Sequence, residues 1–501
     1  MQILLKKYFN SNFVILLLVL LLGLLLRTYK LEIFYSFGHD QDLSAWIAKD
    51  IIIDHHFRLI GQETSILGIF VGPLFYYLVA ASFAIFKMNP LSAAAVTTII
   101  GLLTIVSIYW VFSKFFDKNV GLIGAFFYAV SPGTVFLDRW VVPTQPTILW
   151  SVWFLYVLLS ILKGNYKILI PLSILIGLIW HIHVALLPLL ILLPIVFFLS
   201  KKKTVKDQLN LKIVIISFSI LLVLLGPFFA FEIRHNGLQI RSFIISMQTN
   251  ADSYTGLNRA IKVFDSSGKS FIAILSFNQE VSKLNPSFIV FLALVILSVI
   301  IYLGKKGVLT TNQLVILFIW YFTVILAQFF SKKAVSEYYF NNLLIILLLV
   351  LALFLNQLNG ISKKSLLVFI LLIVYAGLVL VWLINKPEGS SGFLSKRKSI
   401  EFIRKDSLNS GYPCIGINHI EPPQNVISGF RYLFWYYGLK VIKPSNDVPV
   451  YSIVNPWTIS ASEINARFGD IGIILPAVKK VDPKICLESD RQLLPLWGFN
   501  N

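Results

Sequence analysis

Residues 13–26, FVILLLVLLLGLLL, form an uncharged apolar run, and the polar stretch Gly38-His39-Asp40-Gln41-Asp42 follows soon after it. With its flanking residues the run is long enough to cross most of a bilayer, so it predicts a transmembrane helix. No small-residue cleavage site follows the run, which indicates an uncleaved anchor. Because carboxylates at a membrane boundary are costly to desolvate, the acidic pair indicates binding or chemistry at the membrane face.

The composition of the whole chain is typical of a polytopic membrane protein. Of the 501 residues, 57% are hydrophobic and only 13% are charged, whereas soluble domains average about 25% charged residues. The formal net charge of +19 is spread between loops and is not gathered in one arm. This distribution argues against nucleic-acid binding and favours basic cytoplasmic loops that face anionic lipid.

Eleven apolar segments are predicted to span the membrane. They lie at about 13–26, 91–112, 118–136, 147–162, 167–181, 184–200, 212–230, 287–304, 312–330, 339–356 and 365–384. Lysines in alternate short loops place the N-terminus in the cytoplasm of a multi-pass cell (plasma) membrane protein. A further stretch, 66–86, breaks this alternation if it crosses. We interpret it as a juxtamembrane or re-entrant helix, with a full crossing as the alternative.

The tail of the chain has a different composition. Short apolar runs at 450–454 and 471–475 alternate with Pro, Gly and Asn turns, which predicts a small α/β domain over 386–501 after a transmembrane domain over 1–385. The parity of the spans makes this domain extracytoplasmic. Its two cysteines, Cys414 and Cys486, either form a disulfide or remain free thiols. The stretch 431–435 either selects an acceptor or packs in the core.

The polar residues of chemical interest converge on the predicted outer face. Asp40 is favoured as a catalytic carboxylate, and Asp42 as the N-cap of a helix that begins near Leu43. Asp138 and Arg139 form either a local salt bridge or a site in which Arg139 faces a phosphate and Asp138 or Gln145 faces a sugar.

Three later clusters lie on the same predicted face. His181 and His183 have no evident third metal ligand, so a hydrogen bond of one of them within the outer cavity is favoured over metal ligation. Arg234, with Glu232 nearby, either binds a phosphate or snorkels to the interface. Lys332 and Tyr338 flank another span, and the lysine is predicted to serve an anionic ligand.

These segments, in this order, resemble the C-type (GT-C) glycosyltransferases, in particular the family 39 group of protein O-mannosyltransferase-like membrane enzymes and their aminoarabinose-transferase relatives. The resemblance covers about residues 10–350. It rests on GHDQDLSAWIAKDII (38–52), GPLFYY (72–77) and SPGTVFLDRWVVPTQP (131–146), and then on WHIHVALLPL and FEIRHNG. Gln41 stands where a glutamate is common in the family, and either Asp138 or Gln145 takes the position of the acidic residue of the second outer loop.

The resemblance implies a GT-C fold of about eleven transmembrane helices plus juxtamembrane helices. It also implies a donor sugar on a polyprenyl phosphate, taken from the bilayer and transferred to a protein or glycan acceptor with inversion. Such a displacement needs one carboxylate to take the proton of the acceptor, a role that falls to Asp40. It also needs positive charge on the departing phosphate. The predicted substrate-binding residues are Asp42, Asp138, Arg139, Gln145, His183, Glu232, Arg234, Lys332 and Tyr338.

A transporter or flippase of a lipid-linked saccharide is the alternative function. It predicts two related halves with broken helices and ionisable groups near the bilayer midplane. The predicted spans are nearly charge-free at their centres and no repeat is visible, so the interfacial enzyme is favoured. The sequence contains no glycine loop typical of nucleotide binding, which suits a lipid-linked donor. It offers no clear ligand set for a divalent cation, and the sugar, the acceptor and the metal requirement stay open.

Overall fold

The computed structural model describes residues 11–200, 211–249, 254–276, 286–331, 333–359, 365–386, 392–419, 429–454, 461–478, 480–488 and 491–493. The chain divides into two compact units. Unit 1 comprises Met1–Thr28, Thr98–Asp138 and Pro143–Asn385, and unit 2 comprises Tyr29–Thr97, Arg139–Val142 and Lys386–Asn501. Unit 2 therefore joins the GHDQD segment to the tail, which follows it by more than three hundred residues.

Most of the described residues are helical. The helices in chain order are α1 (Ser11–Thr28), α2 (Leu31–Phe34), α3 (His39–Ile52), α4 (Leu74–Ile85), α5 (Ala93–Phe115), α6 (Lys118–Val130), α7 (Pro132–Leu137), α8 (Thr147–Leu162), α9 (Leu169–Ile182), α10 (Leu192–Leu199), α11 (Leu211–Arg234), α12 (Leu238–Gln248), α13 (Gly256–Leu275), α14 (Pro286–Lys305), α15 (Thr311–Phe330), α16 (Leu344–Asn359), α17 (Ser365–Asn385), α18 (Phe393–Asn409) and α19 (Arg431–Tyr436). Two 3₁₀ segments, Val184–Ile191 and Glu337–Leu343, lead into α10 and α16.

Each of the eleven predicted spans is helical, but four of them are not continuous α-helix. The segment at 118–136 breaks at Ser131, and Pro132 opens α7 because proline suits the first position of a helix. The segments at 91–112, 184–200 and 339–356 begin as 3₁₀ turns. Among the described residues, five helices are long and apolar enough to cross a membrane by length and composition, and seven are shorter and apolar. The number of eleven crossings stays a prediction.

The stretch predicted as juxtamembrane or re-entrant contains the short helix α4, twelve residues long. At 1.5 Å per residue it covers about 18 Å, less than the roughly 30 Å of a bilayer core. In unit 2, α4 packs against α3. Its length suits the interpretation that it does not cross the membrane.

The tail carries a small mixed sheet, as the sequence predicted. Its strands are β1 (Ile415–His419), β2 (Val441–Ile442), β3 (Val450–Val454), β4 (Ala466–Phe468) and β5 (Ile471–Ile474), in the order β2-β1-β3-β5-β4. β1 runs parallel to β2 and β3, whereas β5 runs antiparallel to β3 and β4. Helix α18 packs against β4 and β5.

The core of unit 2 draws on all of its sequence segments. Tyr35, Phe37 and Tyr76 from the first segment are buried together with Tyr432 and Tyr451 from the tail. The stretch 431–435 contributes Tyr432, Leu433 and Phe434, all at most 2% exposed. Core packing, one of the two alternatives for this stretch, is thus what the structure shows.

A disulfide joins Cys414 to Cys486 and closes a loop with a sequence separation of 72 residues. Both cysteines lie in unit 2, in a small buried cluster with Ile442 and Val448. Of the two alternatives that the sequence left open, the structure contains the bridge.

Candidate active site

The helix that carries the acidic pair begins earlier than predicted. α3 starts at His39, and Gly38 is its N-cap residue with an extended backbone. Asp42 lies inside the first turn, so the prediction that it caps a helix beginning near Leu43 is wrong. On a helix, residues two apart point to different sides. The carboxylates of Asp40 and Asp42 therefore have different surroundings.

The helix start is closed by Gln41, the residue that departs from the family pattern. Its Oε1 atom accepts a hydrogen bond from the Gly38 amide at 2.9 Å, and its Nε2 atom donates to the Val141 carbonyl at 3.1 Å. The side-chain amide carries an acceptor and a donor on neighbouring atoms, so it makes both bonds at once. A glutamate would make the first bond but would oppose the Val141 carbonyl with a negative charge, which explains the glutamine.

Asp42 is fully buried and holds the tail of unit 2. Its Oδ2 atom accepts from the amides of Gly429 and Arg431 at 2.8 and 3.1 Å, and its Oδ1 atom accepts from the amide of Tyr432 at 2.7 Å. Burial raises the pKa of the Asp42 carboxyl, although these three amides and the nearby Lys396 ammonium oppose the rise. The contacts are those of a structural carboxylate at the start of α19. The substrate-binding role stays a prediction.

Lys396 brings a buried positive charge to the same place. Its Nζ atom donates to the carbonyls of Phe37 and Gly429 at 2.7 and 3.2 Å and lies 4.4 Å from the ring centroid of Phe430. Lys396 is 7% exposed. Both backbone groups of Gly429 are thus hydrogen-bonded, the amide to Asp42 and the carbonyl to Lys396.

Asp40 is the partly exposed member of the acidic pair. Its Oδ1 atom accepts a hydrogen bond from Gln62 Nε2 at 3.4 Å. Gln62 is in turn bound through its backbone amide to the Tyr76 hydroxyl at 3.2 Å. Asp40 therefore combines a carboxylate that solvent can reach with a neighbour that fixes its orientation.

In unit 1, Asp138 belongs to a saturated buried network. Its Oδ2 atom pairs with Arg27, with Nε at 2.8 Å and a terminal guanidinium nitrogen at 2.7 Å. Its Oδ1 atom accepts from the Tyr128 hydroxyl at 3.0 Å and from Gln145 Nε2 at 2.6 Å. Both Asp138 and Arg27 are 0% exposed. Such a network holds α1, α6 and the turn after α7 together, and the sugar-facing role of Asp138 or Gln145 stays a prediction.

Arg139 is also buried, at 1% exposed, in unit 2. Its guanidinium donates to the Tyr29 carbonyl at 2.9 Å and lies 5.4 Å from the ring centroid of Phe34. These contacts anchor the segment 139–142, whose Val141 carbonyl receives the bond from Gln41. The predicted phosphate contact of Arg139 is not tested by this arrangement.

His183 ends α9 and contacts two tyrosines in unit 1. Its Nδ1 atom accepts from the Ala185 amide at 3.0 Å, so Nε2 carries the proton. Its ring lies 5.6 and 5.3 Å from the rings of Tyr338 and Tyr339, whose hydroxyls are hydrogen-bonded at 3.1 Å. His183 and Tyr338 are thus brought together, as a shared site requires, whereas Nε2 of His181 bonds to the Leu224 carbonyl at 2.8 Å.

The remaining predicted residues lie around the end of α11. Glu232 is buried and accepts from the amides of Gln239 and Ile240 at 3.2 and 3.3 Å, which caps α12. Arg234 is exposed. Lys332 lies outside the described residues. Asp40 and Arg234 belong to different units, so the prediction that they share one hollow stays a prediction.

The sequence reasoning missed Gln62, Lys396 and Arg27. Gln62 lies in a polar loop between predicted elements, and Lys396 and Arg27 look like ordinary flanking cations in the sequence. Their partners are remote in the chain, so no local pattern could have revealed them. Among the described residues, no group of three or more His, Cys, Asp or Glu side chains could hold a metal ion.

Comparisons with known proteins agree with this architecture. The sequence model of a family described as dolichyl-phosphate-mannose-protein mannosyltransferase matches residues 71–229. The structure of ArnT from Cupriavidus metallidurans bound to undecaprenyl phosphate is similar with a TM-score of 0.62 and 11% sequence identity, over 91% of this chain and 97% of that one. The apo structure of the same ArnT gives 0.60 and 10%, over 93% and 98%. No curated protein sequence matches the chain.

The structural similarity shows the fold: the chain has apolar helices of membrane-spanning length and the fold of the C-type glycosyltransferases, and the family model matches over 71–229. The resemblance that the sequence predicted, to the C-type enzymes and their aminoarabinose-transferase relatives, is thereby confirmed. The helical body and the small C-terminal sheet are confirmed with it.

Proposed function

We propose that the protein is an integral membrane glycosyltransferase that transfers a sugar from a polyprenyl-phosphate donor to an acceptor at the extracytoplasmic face. The fold shared with ArnT, one of whose structures holds undecaprenyl phosphate, supports the donor class. The family match over 71–229 supports glycosyl transfer. The acceptor is a protein or a glycan.

The observation that carries the proposal is the difference in hydrogen bonding and exposure between Asp40 and Asp42. Asp42 has both oxygens bound to three backbone amides, whereas Asp40 is partly exposed and keeps oxygen lone pairs for a substrate. A general base has to reach the proton that it removes. Asp40 meets this requirement and Asp42 does not.

In the proposed reaction, the acceptor hydroxyl oxygen attacks the anomeric carbon while the bond from that carbon to the phosphate oxygen breaks. Asp40 takes the hydroxyl proton, and polyprenyl phosphate leaves with the bonding electron pair. The displacement inverts the anomeric configuration. Because phosphate is a competent leaving group, cations are needed in place of a second acid.

Arg234 is the proposed cation for the departing phosphate. Lys332 and Arg139, whose guanidinium is buried, are weaker candidates. His183 and Tyr338 offer a neutral N–H donor and a hydroxyl that suit sugar oxygens. Glu232 shapes the site by capping α12. Asp138 or Gln145, which are hydrogen-bonded to each other in unit 1, is the proposed residue that faces the sugar.

The proposed topology has eleven crossings, a cytoplasmic N-terminus, a transmembrane domain over 1–385 and an extracytoplasmic domain over 386–501. The disulfide between Cys414 and Cys486 supports an extracytoplasmic tail, since such bridges persist in oxidising compartments and are rare in the cytosol.

The test is transfer by the full-length chain in proteoliposomes. Undecaprenyl phosphate carrying radiolabelled mannose, glucose or N-acetylglucosamine serves as donor, and label moved to protein, glycan or water is counted. Asp40→Asn should lower kcat by about 10²- to 10⁴-fold, the usual contribution of a general base. Asp54→Asn is the matched control, because Asp54 follows the C-terminal end of α3 and is an exposed partner of Lys49. Equal transfer by wild type and Asp40→Asn would remove Asp40 from the reaction.

A further inference from the structure

The side chain of Gln62 reaches Asp40 from a loop that precedes α4. Gln62 Nε2 lies 3.4 Å from Asp40 Oδ1. An ionised carboxylate only accepts hydrogen bonds, so the amide has to present its nitrogen to Asp40. The contact fixes one oxygen of the proposed base and leaves the other for a substrate.

The backbone of Gln62 is held at both of its polar groups. Its amide donates to the Tyr76 hydroxyl at 3.2 Å, and its carbonyl accepts from the Val71 amide at 3.1 Å. The preceding Gly61 donates to the Val71 carbonyl at 2.7 Å. A Cβ atom on Gly61 would lie 2.0 Å from Tyr76 Cε2, so this residue has to be a glycine for the backbone to pack on the ring. Tyr76 itself is 0% exposed.

The other end of the Gln62 amide has no compensating bond. Within the part of the chain that the structure describes, Gln62 Oε1 is buried and accepts no hydrogen bond. A buried acceptor without a donor costs stability, and native proteins keep few such groups. An apolar side chain of the same length would avoid this cost. The presence of an amide at this position is therefore explained by its nitrogen, which donates a hydrogen bond to Asp40.

We propose that Gln62 is a positioning residue that orients the Asp40 carboxylate for proton abstraction, with Gly61, Val71 and Tyr76 holding it in place. This inference rests on the proposed function. Gln62 does not touch the reacting atoms; it acts through Asp40. Losing an N–H donor to a carboxylate should lower kcat by about tenfold to a hundredfold, since bonds to charged groups are among the stronger ones.

The test compares two variants with wild type in the same proteoliposome assay. Gln62→Met keeps the length of the side chain and removes both polar atoms, whereas Gln62→Glu keeps the shape but replaces the donor by a second carboxylate beside Asp40. Both should lower kcat about tenfold or more at pH 7.5 and leave the donor KM within twofold. The hydrogen-exchange rates of the Gln62 and Val71 amides should remain as in wild type, because neither substitution removes the backbone hydrogen bonds to Tyr76 and Val71.

Each other outcome overturns the inference. A kcat within twofold of wild type in either variant would show that Asp40 needs no donor from Gln62. A loss of kcat that accompanies faster exchange at Gln62 and Val71 would assign Gln62 a structural role only. If Asp40→Asn lowers transfer while both Gln62 variants remain active, only the positioning role fails. If Asp40→Asn is fully active, or wild type transfers no label, the proposed function fails and the inference falls with it.

Discussion

Replacing Asp42 by asparagine tests whether this buried carboxylate holds the tail of unit 2. The substitution keeps the shape of the side chain, but one of the two oxygen positions becomes an NH₂ group that cannot accept a hydrogen bond. If the NH₂ group takes the Oδ2 position, two amides lose their acceptor, and if it takes the Oδ1 position, only the Tyr432 amide does. The second arrangement is therefore the better one.

The expected magnitude follows from that count. One buried donor without an acceptor costs about 1–3 kcal/mol. The neutral amide regains part of this, because burial already raises the pKa of Asp42 and so disfavours its charged form. We therefore expect a loss near the lower end, about 1.4 kcal/mol, which is about tenfold in an opening equilibrium.

Hydrogen exchange of the full-length protein in lipid measures this equilibrium at the place concerned. The amides of Gly429, Arg431 and Tyr432 should exchange about tenfold faster in Asp42→Asn. The amides of β3, at Val450–Val454, should change less, because none of their hydrogen bonds involves Asp42. Asp54→Asn is the control and should leave all of these rates unchanged. Exchange within twofold of wild type at Tyr432, together with a raised donor KM, would refute the structural role and support Asp42 as a substrate ligand.

Two further substitutions test long-range contacts by thermal unfolding of the protein in detergent. Gly101→Ala should lower the unfolding temperature, because the added Cβ would lie 2.3 Å from Asp138 Oδ2 and displace a buried ion pair. Disruption of such a pair costs about 3–5 kcal/mol. Gly377→Ala is the control and should be nearly neutral, since no atom lies within 4 Å of the new Cβ; equal effects of the two substitutions would contradict this prediction. Joint replacement of Cys414 and Cys486 by serine should destabilise unit 2 by about 4 kcal/mol, because the unfolded chain regains the conformational entropy of a loop of this length. An unchanged protease sensitivity of the tail would contradict this prediction.

The helical body could be predicted from the sequence because length and apolarity are local properties. Each of the eleven predicted segments is helical, and the tail contains the predicted small sheet. The errors lie at the boundaries. Pro132 divides one predicted span. α3 begins at His39 because Gln41 hydrogen-bonds to the Gly38 amide, an interaction that an apolar pattern does not predict.

The partners of the acidic pair could not be predicted, since the chain brings them from far away. Asp42 meets Gly429 across a sequence separation of 387 residues, and Arg27 meets Asp138 across 111. The sequence favoured Asp40 for catalysis and Asp42 for helix capping, but it indicated neither Gln62 nor Gly429 as a neighbour. These partners show that Asp42 is a buried carboxylate bound to three backbone amides, whereas Asp40, which we propose as the base, is partly exposed.

The sequence by itself determined the membrane class, the helical segments and the small terminal sheet, because the transfer free energy of each segment depends on its own side chains. The tertiary structure decided which charges are buried and paired, that the two cysteines are joined, and that Gln62 faces Asp40. These outcomes depend on which surfaces meet in the folded chain, and the free energy of such a contact has no counterpart in any short stretch of sequence.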